Sequence, residues 1–223
     1  MSNDNYKHSG YASPPCALPD VDGISGDAVD DIKAWRNRER QRLIGLRRSI
    51  KTAERRLLDA SIADGLDAVL PKSAGTVVAV YWPIRGEPDL RDWCAGAAAR
   101  GFTLALPVVT GKDQPLAFLP WRPGDTLVPG ALKIPVPPGG EPVQPDVVVS
   151  PLVGFDENRH RLGNGGGYYD RTLASYDLKP LTIGVGYRRC ALRTIYPQAF
   201  DVPMDCIITE DAITPEHCGR DRV

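Results

Sequence analysis

Two short apolar runs on either side of an amphipathic segment constrain the fold of this chain most strongly. The runs at 76–82 and 103–109 are rich in β-branched and other apolar residues, which is typical of buried strands. Between them, residues 89–100 form an alanine-rich amphipathic pattern that ends at Gly101, as a helix with a glycine stop does. A strand, a helix and a second strand in this order predict a parallel sheet with a right-handed crossover.

The alternation of strands and helices continues along the chain. Residues 116–121 predict a shorter and more exposed strand, and the Pro- and Gly-rich stretch at 120–145 predicts an irregular covering loop with a little extended structure. Residues 168–176 predict a helix. Three further strands are predicted at 146–151, 181–187 and 206–209, the last being the final strand. We therefore expect an α/β fold, a single three-layer domain with a mainly parallel sheet flanked by helices on both faces.

The N-terminal part of the chain has a helical pattern. Apolar residues recur at helical spacing from about residue 31 to residue 70, and Pro71 stops the run. This pattern predicts two helices, or one long bent helix, with an arginine-rich outer face. Residues 1–28 show almost no apolar periodicity, so we expect a disordered tail there, then the folded domain at 29–215 and a C-terminal tail at 216–223.

Charge and cysteine usage narrow the possible partners. The 27 Lys and Arg residues are balanced by 28 Asp and Glu residues, so the chain has no basic surplus for binding nucleic acid non-specifically. It shows no signal-peptide pattern and no run that approaches a membrane span. The five scattered cysteines include no CxxC pair, which disfavours a disulfide framework or a structural zinc site. We expect a cytoplasmic protein without nucleic-acid or membrane partners, as a monomer or weak homodimer.

A glycine-rich run at 161–171 carries the strongest chemical signal. Four of its residues are glycines, so the backbone can approach a ligand closely just before the predicted helix. Several backbone N–H groups can then converge on phosphate oxygens, helped by the positive end of the helix. Arg161 and Arg171 flank the run with guanidinium groups suited to phosphate, and Asp170 is well placed to hold Mg²⁺. The spacing matches neither a Walker A motif nor the GxGxxG of dinucleotide-binding folds.

The run Arg-Leu-Gly-Asn-Gly-Gly-Gly-Tyr-Tyr-Asp-Arg at 161–171 resembles the R-L-G-x-G-x-G-[YF]-Y-D-R signature of 5-formyltetrahydrofolate cyclo-ligases, also called methenyltetrahydrofolate synthetases. The resemblance extends over about residues 33–210, because other segments similar to the family follow in the expected order. These segments are 81–87, 106–109, 145–156 and 200–210. The resemblance implies a fold like that of NagB, RpiA and the CoA transferases.

The resemblance also implies an activity. The expected enzyme is an ATP-dependent ligase whose small-molecule substrates are ATP and 5-formyltetrahydrofolate, with Mg²⁺ as cofactor. ATP phosphorylates the formyl oxygen, N10 closes onto the activated carbon, and phosphate departs to give 5,10-methenyltetrahydrofolate and ADP. Such chemistry requires positioning, positive charge and Mg²⁺ rather than a protein nucleophile.

Roles for individual residues follow from the same resemblance. The expected ATP-binding residues are Lys33, Arg36, Arg161, Leu162, Gly163, Asn164, Gly165, Gly166, Gly167, Tyr168 and Tyr169. The expected catalytic residues are Arg161, Tyr168 and Arg171, the folate contacts Glu87 and Tyr168, and the Mg²⁺ ligands Asp170 and Asp201. The remaining N-terminal arginines are expected to form a solvated face, namely Arg38, Arg40, Arg42 and Arg48.

Two departures from the family pattern keep other functions open. Val136 stands where a glutamate is expected near the pterin, and Glu141 is a candidate replacement for that carboxylate. Asn164 stands where many members carry a larger side chain, and it cannot stack on a ring. One alternative is a family paralogue that binds folate or ATP without turnover. Another is an ATP-using ligase that acts on a different small formyl or carbonyl substrate.

Overall fold

Helices and strands follow one another in the predicted order. The computed structural model describes residues 26–71, 73–215 and 218, with the backbone alone at 26–29. None of the helices it describes is long and apolar enough to cross a membrane. The helices are α1 (Gly26–Arg48), α2 (Thr52–Val69), α3 (Arg91–Ala99) and α4 (Tyr168–Ala174), with 3₁₀ turns at Ala131–Lys133 and Arg188–Cys190. The strands are β1 (Val77–Ala79), β2 (Thr103–Val109), β3 (Leu116–Pro120), β4 (Val128–Pro129), β5 (Pro135–Val136), β6 (Val147–Pro151), β7 (Gly154–Phe155), β8 (Arg161–Leu162), β9 (Leu181–Val185), β10 (Cys206–Ile208) and β11 (Ile213–Thr214).

The N-terminal helical pattern folds as two helices rather than one bent helix. A short connection separates α1 from α2, and α2 ends just before Pro71, as the sequence predicts. Residues 26–28, which were predicted as tail, already belong to α1. The other tail predictions, at 1–25, 216–217 and 219–223, lie outside the described residues.

A seven-stranded sheet forms the centre of the molecule, in the order β11-β10-β9-β6-β1-β2-β3. The five strands from β10 to β2 pair in parallel, and the edge strands β11 and β3 pair antiparallel with their neighbours. The predicted mainly parallel α/β fold is therefore confirmed. The prediction that 206–209 is the final strand is wrong, because β11 follows it. With only two residues, β11 is too short to show strand periodicity in the sequence.

The edge strand β3 is shorter than β2 and less buried than the central strands β6 and β9, as predicted. Phe118 and Leu119 are both buried, and Phe118 packs in the same apolar cluster as Leu173 of α4. The Thr172 hydroxyl of α4 also accepts a hydrogen bond of 2.8 Å from the Leu116 N–H. Helix α4 therefore covers part of this edge, while Pro120 at the end of β3 is exposed.

The two faces of the sheet contribute to two separate apolar clusters. Successive residues of a strand point to opposite faces, so Val78 joins one cluster and Ala79 the other, and Val147 and Val148 repeat this division. Helices α1, α2 and α3 contribute to the first cluster, and α4 contributes to the second through Leu173. The prediction of helices on both faces is confirmed.

One pair of cysteines is joined, contrary to expectation. Cys206 of β10 forms a disulfide with Cys218, which lies beyond β11. The sequence analysis disfavoured a framework of disulfides, and it did not predict this single bond. Because β11 runs antiparallel to β10, the chain returns beside β10 and brings the two cysteines together. Cys94 and Cys190 are free and buried.

Candidate active site

A cavity of about 520 Å³ opens beside the carboxyl ends of β1, β2 and β6. Tyr81 and Trp82 follow β1 in the chain, Val109 ends β2, Pro151 ends β6, and all four line the cavity. Ligands of open α/β sheets bind outside the carboxyl ends of the strands. The cavity therefore lies at the edge of the sheet where such folds bind their ligands.

The glycine-rich loop forms one wall of this cavity. β8 leads into the loop, and α4 begins directly after it at Tyr168. Gly165 and Gly167 have φ values of 98° and 64°, in the left-handed region that favours glycine. A Cβ atom on Gly166 would lie only 2.8 Å from the Tyr168 ring. The conformation of the loop therefore depends on its glycines, and the loop lines the cavity largely with backbone atoms.

Arg161 is a buried cation at the start of the loop. Its Nη1 donates to the Val202 carbonyl at 2.9 Å, and its Nη2 lies 2.9 Å from Asp170 Oδ1. Burial lowers the pKa of Arg161, and the neighbouring Asp170, Tyr169 and Asp201 oppose that shift. Nη2 finds no well-aligned hydrogen-bond acceptor within the described part of the chain. A buried guanidinium with an unused donor is suited to bind an anion.

Helix α1 presents a polar face to the cavity. The residues on this face are Lys33, Arg36, Asn37 and Arg40. Arg40 Nε donates to the Gly163 carbonyl at 2.8 Å, and its Nη1 donates to Asn37 Oδ1 at 2.6 Å. The prediction that Arg40 belongs to a solvated face is wrong, because Arg40 lines the cavity. Arg40 follows Arg36 by one helical turn and Lys33 by two turns, so all three side chains lie on the same side of α1. The other members of that predicted face, Arg38, Arg42 and Arg48, are exposed.

Arg36 is held firmly by the protein itself. Its Nε donates to the Ile195 carbonyl at 2.9 Å, and its Nη2 donates to the Tyr196 carbonyl at 2.7 Å and to Asp201 Oδ2 at 2.5 Å. Nη1 makes only a long contact of 3.5 Å to Asp201 Oδ1. Arg36 therefore anchors α1 to the segment that carries Asp201, and Nη1 has the most donor capacity left for a ligand.

The two expected Mg²⁺ ligands both line the cavity, and each contacts an arginine. Asp170 Oδ1 lies 2.9 Å from Arg161 Nη2, and Asp201 Oδ2 lies 2.5 Å from Arg36 Nη2. The described residues contain no group of three or more His, Cys, Asp or Glu side chains that could hold a metal ion. Mg²⁺ commonly binds through one or two carboxylates together with substrate phosphates and waters. The two carboxylates therefore fit an ion shared with a phosphorylated substrate, not a closed protein cage.

Glu87 is a buried carboxylate in the cavity wall, only 3% exposed. Its Oε2 accepts a hydrogen bond of 2.9 Å from the Ile84 N–H. Its Oε1 accepts hydrogen bonds from Arg47 Nη2 at 3.3 Å and from Asn164 Nδ2 at 3.2 Å. Burial raises the pKa of Glu87, and the three donors oppose that rise because they favour the ionised form.

Arg47 is a site residue that the sequence analysis did not single out. Its side chain is 1% exposed and donates to the carbonyls of Arg85 at 2.8 Å and Leu152 at 3.0 Å, in addition to its ion pair. Its place in the helical pattern of the sequence could have identified Arg47 as buried. Arg47 lies one turn after Leu43 and just under a turn before Ile50, both of which are buried.

Much of the remaining cavity wall is apolar. Val136 of β5 is buried there, and a Cβ atom on Gly130 would lie 2.8 Å from its side chain. Glu141, the candidate replacement for the carboxylate absent at position 136, is exposed and does not line the cavity. The apolar lining includes Trp82, Pro107, Val109, Leu116, Ile134 and Val136.

Tyr168 and Arg171, two of the expected catalytic residues, differ in position. Tyr168 lines the cavity, whereas Arg171 is absent from its described lining. The Arg171 guanidinium lies 5.1 Å from the centroid of the Tyr168 ring, and its Nη2 donates to the Gly166 carbonyl at 2.5 Å. From this position Arg171 can support the glycine-rich loop and the Tyr168 ring. The other expected site residues all line the cavity, namely Lys33, Arg36, Glu87, Arg161, Leu162, Gly163, Asn164, Gly165, Gly166, Gly167, Tyr169, Asp170 and Asp201.

Comparison with known proteins adds to this geometry. The model of the 5-formyltetrahydrofolate cyclo-ligase family matches residues 32–210. A protein of Escherichia coli strain K12 named 5-formyltetrahydrofolate cyclo-ligase is 29% identical over 174 residues, which cover 75% of this chain and 96% of that protein. A Mycolicibacterium smegmatis protein of the same name is 31% identical over 179 residues, which cover 76% of this chain and 91% of that protein.

Solved structures show the same likeness. The NMR structure of 5,10-methenyltetrahydrofolate synthetase from Aquifex aeolicus has a TM-score of 0.69 and 31% identity, and covers 80% of this chain and 91% of that chain. The structure of a 5,10-methenyltetrahydrofolate synthetase from Mycoplasma pneumoniae has a TM-score of 0.62 and 26% identity, and covers 78% of this chain and 98% of that chain. The likeness thus spans nearly the whole length of these relatives.

Proposed function

The chain belongs to the 5-formyltetrahydrofolate cyclo-ligase family, and we propose that it catalyses the ATP- and Mg²⁺-dependent cyclisation of 5-formyltetrahydrofolate to 5,10-methenyltetrahydrofolate. One observation carries this proposal beyond family membership. A single cavity combines a cationic, glycine-lined wall with an apolar wall and a buried carboxylate. Such a cavity can hold a polyphosphate and a flat heterocycle next to each other.

The proposed reaction has two bond-making steps. The formyl oxygen attacks the γ-phosphorus of ATP, so that a new P–O bond forms as the bond to ADP breaks. N10 then attacks the activated formyl carbon, the C–O bond to phosphate breaks, and the N10 proton leaves with the phosphate. The products are 5,10-methenyltetrahydrofolate, ADP and phosphate.

The protein's contribution at the phosphate end is positioning and positive charge. Lys33 and Arg40 face the cavity from α1, and Arg161 faces it from the start of the glycine-rich loop. Cations that are fixed before the reaction stabilise charge on a transferring phosphoryl group without reorganising during the step. We assign these three side chains and the loop backbone to ATP.

Asp170 and Asp201 would hold the Mg²⁺ ion. When bound, Mg²⁺ neutralises phosphate charge during phosphoryl transfer. The ion pairs of Asp170 with Arg161 and of Asp201 with Arg36 hold both carboxylates at the cavity wall.

For the folate, Glu87 is the buried carboxylate available to accept hydrogen bonds from the N–H groups of a pteridine ring. Tyr168 and Trp82 offer aromatic surface to the same ring. The described lining of the cavity contains no Ser, Cys or His. The proposed reaction needs no protein nucleophile, because the two substrates react with each other.

The test is the absorbance of the methenyl product, followed with the purified full-length chain, 5-formyltetrahydrofolate, Mg²⁺ and ATP. We expect a rise that requires ATP and that Asp170→Asn abolishes while the variant remains folded. Asp177→Asn, a matched change at an exposed position, should keep the rise. Asp170→Ala provides a second variant in case the amide of Asp170→Asn still supports binding.

Absence of the rise with folded wild-type protein that binds ATP would contradict the proposal. Two functions would then be separated by ATP consumption. Folate or ATP binding without consumption indicates a non-catalytic family paralogue. Consumption that requires another small formyl or carbonyl compound indicates a ligase with a different substrate.

A further inference from the structure

The glycine-rich loop carries one polar side chain, and that side chain contacts the carboxylate assigned to the folate. Between Leu162 and Tyr168 the residues are glycine except for Asn164. Asn164 Nδ2 donates to Glu87 Oε1 at 3.2 Å, across 77 positions of sequence. A direct hydrogen bond therefore joins the loop assigned to phosphate with the carboxylate assigned to the folate ring.

We propose that Asn164 is a positioning residue for Glu87, so that its side chain serves the folate substrate, and its contribution to ATP binding is limited to its backbone. The proposal rests on the proposed function for the identity of the substrate. The contact between Asn164 and Glu87 stands without it.

The geometry around Glu87 shows why a third donor matters. The Ile84 N–H holds Oε2, and Arg47 Nη2 reaches Oε1 at 3.3 Å. Asn164 is the donor to Glu87 that comes from the glycine-rich loop, and it reaches the same oxygen as Arg47. With both donors present, Oε1 is fully used and Oε2 retains a lone pair for the substrate.

The loop can hold Asn164 in place because its backbone is constrained. The neighbouring Gly165 and nearby Gly167 adopt positive φ values, which give the turn that follows Asn164 its shape. Gly163 before it accepts the 2.8 Å hydrogen bond from Arg40 Nε. Asn164 is therefore a short side chain on a supported backbone, which suits a positioning role.

Electrostatics gives the proposal a measurable consequence. The charged or titratable groups that face Glu87 are Arg47 of α1 and the hydroxyls of Tyr81 and Tyr169, whose own pKa values are raised by burial and by Glu87. Burial raises the pKa of Glu87, and the Asn164 N–H favours its ionised form. Loss of that donor should raise the pKa of Glu87 further. For a reaction that requires ionised Glu87, the acid limb of the pH–rate profile should then move to higher pH.

Steady-state kinetics with three variants tests the role. Asn164→Leu keeps the size of the side chain and removes the hydrogen-bond donor to Glu87. Asn164→Asp places a second carboxylate next to that of Glu87. For Asn164→Leu we expect the KM for 5-formyltetrahydrofolate to rise about tenfold, from the loss of a hydrogen bond to a charged group, with the KM for ATP nearly unchanged. Asn164→Asp should show a larger rise. Asn158→Asp, the same change in an exposed loop outside the cavity, should leave both KM values unchanged.

A second readout needs no catalysis. The Glu87 carboxyl is titrated by carbon-13 NMR in the wild type and in Asn164→Leu, with Glu87→Gln to assign the resonance. A move of the Glu87 titration to higher pH in Asn164→Leu supports the role. An unchanged titration overturns it, and so does a KM effect confined to ATP or equal for both substrates. Inactive wild-type protein would contradict the proposed function, while the NMR titration would still decide whether Asn164 acts on Glu87.

Discussion

Arg36 Nη2 donates to Asp201 Oδ2 at 2.5 Å, and both side chains are more than nine-tenths buried. The pair joins α1 to a segment late in the chain, 165 positions away. Arg36 also donates to the carbonyls of Ile195 and Tyr196 in the approach to that segment. An expected ATP contact and an expected Mg²⁺ ligand are thus parts of one buried structural link.

Breaking this link from one side should destabilise the protein. Arg36→Met leaves Asp201 buried without its cation, so we expect the free energy of unfolding to fall by about 3 kcal/mol. Urea unfolding of Arg36→Met, Asp201→Asn and the double variant measures the effect. The double variant should lose less than the sum of the single losses, and a simply additive loss would contradict a direct interaction.

Arg40 should contribute to ATP binding although its sequence position suggested a solvated face. Its guanidinium lies in the cavity and donates to Gly163 of the glycine-rich loop. We expect Arg40→Ala to raise the KM for ATP about tenfold, since charge-assisted contacts to phosphate are strong. Arg42→Ala is the matched control, because Arg42 is exposed on the same helix and pairs with Glu39. Equal KM values for the two variants would argue against a role for Arg40.

Two helical glycines should respond oppositely to alanine. A Cβ atom on Gly65 of α2 would lie 2.6 Å from Ile208 Cγ2, whereas a Cβ atom on Gly45 of α1 would meet nothing within 4 Å. We expect Gly65→Ala to lower the free energy of unfolding by about 1–3 kcal/mol through overpacking. Gly45→Ala should raise it by up to about 1 kcal/mol through helix propensity. Thermal and urea unfolding distinguish the two, and a stabilised Gly65→Ala would show that α2 is not pressed against β10.

The buried Asp59 should make stability depend on pH. Burial raises its pKa, although the Tyr187 hydroxyl donates to it at 2.7 Å and favours the ionised form. Between the ordinary carboxyl pKa and this raised value, the folded protein binds more protons than the unfolded chain. The contribution of Asp59 to stability therefore falls as pH rises through this window.

The variant Asp59→Asn keeps an acceptor for Tyr187 and removes the titrating group. We expect its free energy of unfolding, relative to wild type, to increase as the pH rises from the ordinary carboxyl pKa to the raised pKa of Asp59. Tyr187→Phe removes the donor, so it should raise the pKa of Asp59 further and extend the fall of stability to higher pH. Urea unfolding across this range measures both, and a pH-independent difference for Asp59→Asn would contradict the assignment.

The order of helices and strands was predictable because each depends on neighbouring residues. The run at 103–109 became β2 with those bounds, and the helical pattern before Pro71 became α1 and α2. Failures occurred where neighbours carry too little information. The strand β11 has only two residues, so its neighbours along the chain show no strand pattern.

The sequence by itself determined the α/β class and the glycine-rich loop. Apolar periodicity selects helix or strand locally, and a run of glycines permits the positive φ values that Gly165 and Gly167 adopt. Only the tertiary structure decided which side chains meet. The pairing of Cys206 with Cys218, the place of Arg40 in the cavity and the contact of Asn164 with Glu87 depend on strand order and on how helices dock. Contacts of this kind are set by distances in space, which local spacing along a chain does not encode.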